Sequence, residues 1–253
     1  MAPPAEPLVG FLIGGAQKAG TSALAHYLGR HPRIRLPRDK EAHVFDAAGA
    51  DWSVAAVNAR YAPSFDDAAE DAVHGDATPF YLFHPACIER IAAYNPAMRW
   101  IVLLRDPAER AASQHRMERA RGNEPLPLWL ALLLERWRTR GDPDPFARGS
   151  RLRRYSYRAR GDYARQLDTL YSHFPRGQVL VMHSDRLRRQ PAACVAEACA
   201  FIGVPPPVAD DAAYPPVFVG TQPPPGPVSL ALLRWWMRRE RRALRERHGI
   251  AFD

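Results

Sequence analysis

Phe11-Leu12-Ile13-Gly14-Gly15-Ala16-Gln17-Lys18-Ala19-Gly20-Thr21-Ser22-Ala23-Leu24 is the stretch whose reading decides the fold. An apolar run from Leu8 to Ile13 breaks at paired glycines, and a helical pattern begins near Thr21, with Leu24, Tyr27 and Leu28 at helical spacing. That reads as strand, tight loop, helix. Such a loop suits an anion, because N–H groups at a helix start are unpaired and the helix dipole favours negative charge. Gly14, Gly15 and Gly20 permit turns and close backbone approach, Lys18 supplies a mobile cation, and Thr21 and Ser22 supply hydroxyl donors. The residue order counts against an ordinary nucleotide triphosphatase. A Walker A loop places lysine directly after its last glycine, whereas here Gly20 is followed by Thr21 and the lysine lies two residues earlier.

Two more apolar runs follow. Trp100 to Leu104 reads as a strand covered on both faces, ending at Arg105-Asp106-Pro107, and Gln178 to Met182 reads as another. Gly75 to Leu82 reads as a short strand or turn. Helices are expected from Thr21, from Pro85 to Tyr94, from Pro107, around Leu126 to Trp137, after Asp162, from Ala192 to Ile202 and over Leu230 to His248. Residues 47–72, alanine-rich with Trp52, Tyr61 and Phe65, read as surface helices. In the last helix, Leu232, Leu233, Met237 and either Trp235 or Trp236 read as one buried stripe among arginines. The alternation predicts an α/β fold with a central, mostly parallel sheet flanked by helices and ligands at the strands' carboxyl ends. One domain over 1–253 is expected, with a loose leader at 1–7, a proline-rich loop or lid at 205–228 and a basic C-terminal helix at 229–253.

Two anion-binding stretches thus leave two predicted strands. The first is Lys18 to Ser22. The second is Arg105, able to clamp a phosphate bidentately, with Ser113 two turns into the next helix. A ligand carrying phosphate at two separate points fits this pair better than one triphosphate chain.

Gln17-Lys18-Ala19-Gly20-Thr21-Ser22-Ala23-Leu24 resembles the 5′-phosphosulfate loop of sulfotransferases that use 3′-phosphoadenosine 5′-phosphosulfate (PAPS). Ile101 to Ser113, with Arg105-Asp106-Pro107 and Arg110, is similar to their 3′-phosphate motif. Lys40-Glu41-Ala42-His43-Val44-Phe45-Asp46 is similar to the Lys-Glu-Pro-His-Phe-Phe-Asp stretch of heparan sulfate 3-O- and N-sulfotransferase-like, bacterial-type enzymes. The resemblance runs from about residue 9 to 204 and implies a P-loop-like sulfotransferase fold. It also implies roles: Gln17, Lys18, Ala19, Gly20, Thr21 and Ser22 around the 5′-phosphosulfate, Arg105 and Ser113 on the 3′-phosphate, and Glu41 as general base. His43 and Asp46 would be orienters or substrate contacts, with Thr78 a further substrate-side candidate. PAPS would be the cosubstrate, 3′-phosphoadenosine 5′-phosphate (PAP) the product, and no metal is called for. The chain departs from the heparan-type pattern at Asp76-Ala77-Thr78-Pro79, where those enzymes carry Glu-Lys-Thr-Pro. Their Lys-Gly-Arg-like late loop has only Val219-Gly220-Thr221-Gln222 in its place.

The 253 residues carry 35 Lys+Arg against 27 Asp+Glu, a net charge of +8, which suits an anionic partner. Three cysteines without metal-ligand spacing, no signal-peptide pattern and no span of about 18 apolar residues lead to the expectation of a cytoplasmic protein. The expected acceptor is a small molecule or glycan. Nucleic acid is not expected as a partner, no membrane span is expected, and peripheral membrane association stays open. Two other classes stay open at this point. One is a nucleotide or nucleoside kinase using the same loop; the other is a non-enzymatic basic protein binding nucleic acid or a membrane surface.

Overall fold

The computed structural model describes residues 6–66, 71–207, 214–217 and 227–252. The chain divides into two compact units, Met1–Leu104 with Asp168–Val219, and Arg105–Leu167 with Gly220–Asp253.

The first unit holds a sheet of five strands, β1 (Val9–Gly15), β2 (Ile34–Arg35), β3 (Val73–Asp76), β4 (Arg99–Leu104) and β5 (Val179–His183). Their order is β2-β3-β1-β4-β5 and every pairing is parallel. The expected parallel α/β architecture is therefore present. Phe11, Leu12 and Ile13 in β1, and all of β4 beyond Arg99, are fully buried, as strands covered on both faces require. Helices α1 (Thr21–Leu28), α2 (Val54–Tyr61), α3 (Phe80–Phe83), α4 (Pro85–Tyr94) and, later, α9 (Ser184–Arg189) and α10 (Pro191–Ile202) belong to this unit. The connection leaving β1 runs to β2 on one side of the sheet and the one leaving β4 runs to β5 on the other, so the connections diverge at the carboxyl ends of these neighbouring strands. In open α/β sheets that switch point is where ligands bind.

Gly14 and Gly15 do not serve the loop. They end β1, where a Cβ on Gly14 would lie 2.3 Å from the Trp100 ring and one on Gly15 would lie 2.6 Å from Leu82. Packing demands glycine there, and only Gly20, at φ 99°, is demanded by backbone conformation.

The second unit contains α5 (Pro107–Ala120), α6 (Leu128–Thr139), α7 (Arg151–Tyr155), the start of α8 (Tyr163–His173), α11 (Pro227–Trp236) and α12 (Arg238–His248). Its core joins Ala108, Ala111 and Ala112 of α5 with Ala131 and Leu132 of α6, Tyr157, and Leu233 and Met237. Asp106 caps α5 by accepting from the N–H groups of Ala108 and Glu109.

Several boundaries differ from expectation. Among the described residues of 47–72 there are α2 and one 3₁₀ turn, Ala62–Ser64, which carries Pro63. The C-terminal segment is two helices, broken at the buried Met237, and residues 249–252 are not helical. Its stripe is narrower than expected: Leu233, Trp236 and Met237 pack on the core, while Leu232 and Trp235 are exposed. Residues 1–5 of the expected leader, parts of the 205–228 loop and the stretch 219–222 lie outside the described residues.

Candidate active site

The loop after β1 holds its shape through backbone bonds: Ala16 N–H donates to Leu103 O at 2.7 Å, and Ala19 N–H to Ala16 O at 3.1 Å. Lys18 takes φ 70°, and Gly20, the residue before α1, takes φ 99°. Ala23 and Leu24 N–H turn back to Gly20 O, leaving the amides of Gly20, Thr21 and Ser22 with no backbone acceptor among the described residues. Gln17 Oε1 is buried with no hydrogen-bond partner among the described residues. Open amides at a helix start and an unmatched buried acceptor suit an oxygen-rich anionic ligand with a donor of its own.

β3 ends beside β1, with Asp76 opposite Leu12. Asp76 is fully buried and accepts four hydrogen bonds: from Thr78 Oγ1 at 2.8 Å, Ala42 N–H at 3.2 Å, Tyr61 OH at 2.9 Å and Tyr81 OH at 2.8 Å. Burial pushes its carboxyl above the usual range, and the four donors pull the other way. Further bonds tie segment 40–46 to the same turn. Val44 N–H donates to Tyr81 OH at 2.9 Å, His43 N–H to Thr78 Oγ1 at 3.4 Å, and Ala77 N–H to Lys40 O at 3.3 Å. Phe45, fully buried, packs its ring among Trp52, Tyr61, Tyr81 and Tyr94. Arg90 donates to Phe45 O and Ala47 O at 2.8 and 3.0 Å.

So held, the segment lines up three ionisable groups. His43 stands between two carboxylates, with Nδ1 2.7 Å from Asp46 Oδ2 and Nε2 3.3 Å from Glu41 Oε2. Glu41 Oε1 also meets Lys40 Nζ at 2.6 Å, so the surface ion pair that rivals a chemical role for Glu41 is itself present. Burial works against both charges, yet hydrogen bonds to Asp46 and Glu41 lift His43 to about 9, and hydrogen bonds from His43 and Lys40 bring Glu41 down to about 2. At neutral pH Glu41 is a carboxylate and His43 an imidazolium. Among the described residues, the non-glycine residues with positive φ are Lys18, Lys40 and His43, all at this site. Each such residue costs roughly 1–2 kcal/mol, and strain of this kind concentrates where geometry serves function.

The structure thus brings Glu41, His43, Asp46 and Thr78 together and carries Gln17 to Ser22 on the adjacent strand's loop. Thr78 is fully buried and its hydroxyl is engaged with Asp76 and the His43 amide, which makes it a positioning group. Arg105 and Ser113 belong to the second unit. There Arg105 directs Nε and Nη2 to Glu109 Oε2 at 3.1 and 3.0 Å. Ser113 lies one turn beyond Glu109 on α5, and Arg116 follows on the same face. Burial and the neighbouring Arg105 charge pull the Arg116 guanidinium below its ordinary range. The sequence reading missed Asp76 as a hub. Its signal was a carboxylate and a threonine two residues apart at the end of a strand.

The sulfotransferase domain family matches residues 10–213. The chain belongs to that family. This sulfotransferase-domain chain is similar to the bifunctional heparan sulfate N-deacetylase/N-sulfotransferase 2 of Bos taurus, at 29% identity over 205 residues, covering 78% of this chain and 22% of that protein. It is also similar to the heparan sulfate glucosamine 3-O-sulfotransferase 3A1 of Mus musculus, at 28% identity over 196 residues, covering 76% of this chain and 45% of that one. The chain spans less than half the length of these curated relatives. Among solved structures, the sulfotransferase of Alicyclobacillus acidocaldarius superposes with a TM-score of 0.74 at 28% identity, over 96% of this chain and 95% of that one.

Two outcomes are expected. Replacing Asp76 by Asn turns one acceptor oxygen into a donor that faces existing donors, so Asp76→Asn lowers stability by about 1–3 kcal/mol, read by urea denaturation. Replacing His43 by Gln removes a group whose pKa rises from 6.5 to about 9 on folding. Its stabilising effect is complete below pH 6.5 and is lost as pH climbs through about 9. Melting curves of His43→Gln and the parent should therefore differ most near pH 6 and converge above pH 9.

Proposed function

We propose that this chain transfers a sulfuryl group from PAPS to a hydroxyl or amine of a carbohydrate or small-metabolite acceptor, as an enzyme of the EC 2.8.2 type. The observation that carries the reading is the Glu41–His43–Asp46 array, tied through Asp76 to the end of β3 while the phosphate loop leaves the neighbouring β1. Membership of the sulfotransferase domain family supports it. PAPS, when bound, supplies the sulfuryl group and departs as PAP.

The chain's own residues have distinct tasks. The amides of Gly20, Thr21 and Ser22, with the Thr21 and Ser22 hydroxyls, hold the 5′-phosphate, and Gln17 accepts a hydrogen bond through its unmatched Oε1. Lys18 places its ammonium where negative charge develops. Arg105 and Ser113 hold the 3′-phosphate, Arg105 by exchanging Glu109 for the ligand. Glu41 receives the acceptor's proton. With a pKa near 2 it is a weak base, but it is fully ionised at working pH. A weak base suffices when the proton moves late, because an oxygen already bonding to an electrophile is strongly acidic. The imidazolium of His43, anchored by Asp46, fixes the Glu41 carboxylate in place. The heparan-type names of the relatives support a glycan acceptor, and the absence of lysine at position 77 favours one less acidic than heparan sulfate. A cytoplasmic setting is supported by Cys87, Cys194 and Cys199, all buried and none in a disulfide among the described residues.

Isothermal titration with PAP, alongside ADP and ATP–Mg²⁺, tests the reading. PAP should bind in the micromolar range, about tenfold or more weaker to Lys18→Ala and to Arg105→Ala. ATP–Mg²⁺ binding in preference to PAP would replace sulfuryl transfer by phosphoryl transfer. Glu41→Gln should bind PAP as the parent does while sulfation of a glycan panel falls at least about a hundredfold.

A further inference from the structure

Helix α6 turns its aromatic residues outward. Trp129, Leu133 and Trp137 are 57%, 59% and 76% exposed, and at i, i+4 and i+8 they form one stripe along the helix. The opposite face is committed elsewhere: Ala131 and Leu132 enter the core, and Glu135 accepts from the N–H groups of Arg158 and Ala159 at 2.6 and 2.9 Å. Arg136 and Arg140 are exposed beside the stripe, and the helix's single carboxylate, Glu135, is buried. Helix α11 repeats the pattern. Leu232 and Trp235 are 57% and 61% exposed, and the Arg238 guanidinium lies 4.3 Å over the Trp235 ring.

The charge of the chain is divided as sharply. The second unit holds 22 arginines against 11 carboxylates, a net +11, whereas the first holds 13 basic against 16 acidic residues, a net −3. Two tryptophan-bearing faces therefore lie in the unit that carries the whole positive excess. Exposed tryptophan and leucine flanked by arginine match the boundary between anionic headgroups and acyl chains, where indole rings settle and guanidinium groups reach phosphate.

We propose that the exposed face of α6, helped by α11, docks the protein peripherally on an anionic lipid bilayer. No helix among the described residues is long and apolar enough to cross a membrane, so the contact lies in the interface plane. A second copy of this chain is a poor occupant, because pairing these faces brings arginine against arginine. A glycan would stack on the tryptophans but gains little from Leu133 on α6 and Leu232 on α11.

The test is co-sedimentation of the intact protein with vesicles of phosphatidylcholine mixed with phosphatidylserine, against pure phosphatidylcholine. The expected result is partitioning onto the anionic vesicles that weakens with salt, with tryptophan fluorescence quenched by acyl-brominated lipid. Trp129→Ser with Trp137→Ser should lower partitioning at least about tenfold, and Arg136→Gln with Arg140→Gln about thirtyfold. Circular dichroism establishes that each variant is folded. Should the tryptophan pair fail to fold, quenching of the parent protein decides. Absence of vesicle binding, absence of quenching, or a folded tryptophan variant that partitions like the parent would overturn the proposal. So would tryptophan-dependent binding to a soluble sulfated glycan, or tryptophan-dependent self-association, without vesicle binding.

Discussion

The buried carboxylate of Asp76 is the constraint on which the candidate site rests. A carboxylate with no access to water is costly unless its lone pairs are matched, and Asp76 meets four donors from three parts of the chain. Ala42 comes from the segment carrying Glu41 and His43, Thr78 and Tyr81 from the turn and helix after β3, and Tyr61 from α2. Because each donor loses its partner if any part moves, the carboxylate fixes a loop that has almost no regular secondary structure of its own. Strand β3 supplies the reference frame through its register with β1, whose own carboxyl end begins the Gln17-to-Ser22 loop.

That fixation permits the backbone to hold unfavourable torsions. Lys18, Lys40 and His43 occupy a region that side-chain sterics disfavour, and their strain persists because neighbouring contacts over-determine it. At Lys40 the carbonyl accepts from Ala77, and at His43 the amide donates to Thr78 while the ring is gripped from both sides. The torsion at His43 sets the ring between Glu41 and Asp46 rather than along the chain.

Much of this was legible in the sequence. Continuous apolar runs mark β1, β4 and β5, and the glycine-to-threonine punctuation marks the first loop and helix. β2 is only two residues, and β3 reads Val-His-Gly-Asp, with no apolar run, so the sequence marks only a short strand or turn from Gly75 to Leu82, where β3 ends and α3 begins. Its identity as a strand comes from tertiary contact: Gly75 is needed because a Cβ there would lie 2.2 Å from the Phe11 ring across the sheet. The outward face of α6 was hidden for the opposite reason. Leu128 to Trp137 is apolar nearly all round, and composition alone assigns such a helix to the interior; only the placement of Ala131, Leu132 and Glu135 shows which face is turned in. Glu41, His43 and Asp46 were legible as a cluster, but their order, with the ring between the acids, required the loop's fold.

That order bears on the chemistry. An isolated glutamate next to a lysine is an ordinary surface pair of little energetic weight. With His43 held protonated by Asp46, Glu41 is drawn into a line of alternating charge and stays ionised across the whole neutral range. The arrangement therefore trades basicity for position. A carboxylate with a pKa near 2 cannot strip a proton from a free hydroxyl to any useful extent, but it can take one from an oxygen that is already forming a bond. Such a site suits a displacement in which bond formation to the electrophile runs ahead of proton transfer, and in which placement of the acceptor oxygen counts for more than the strength of the base.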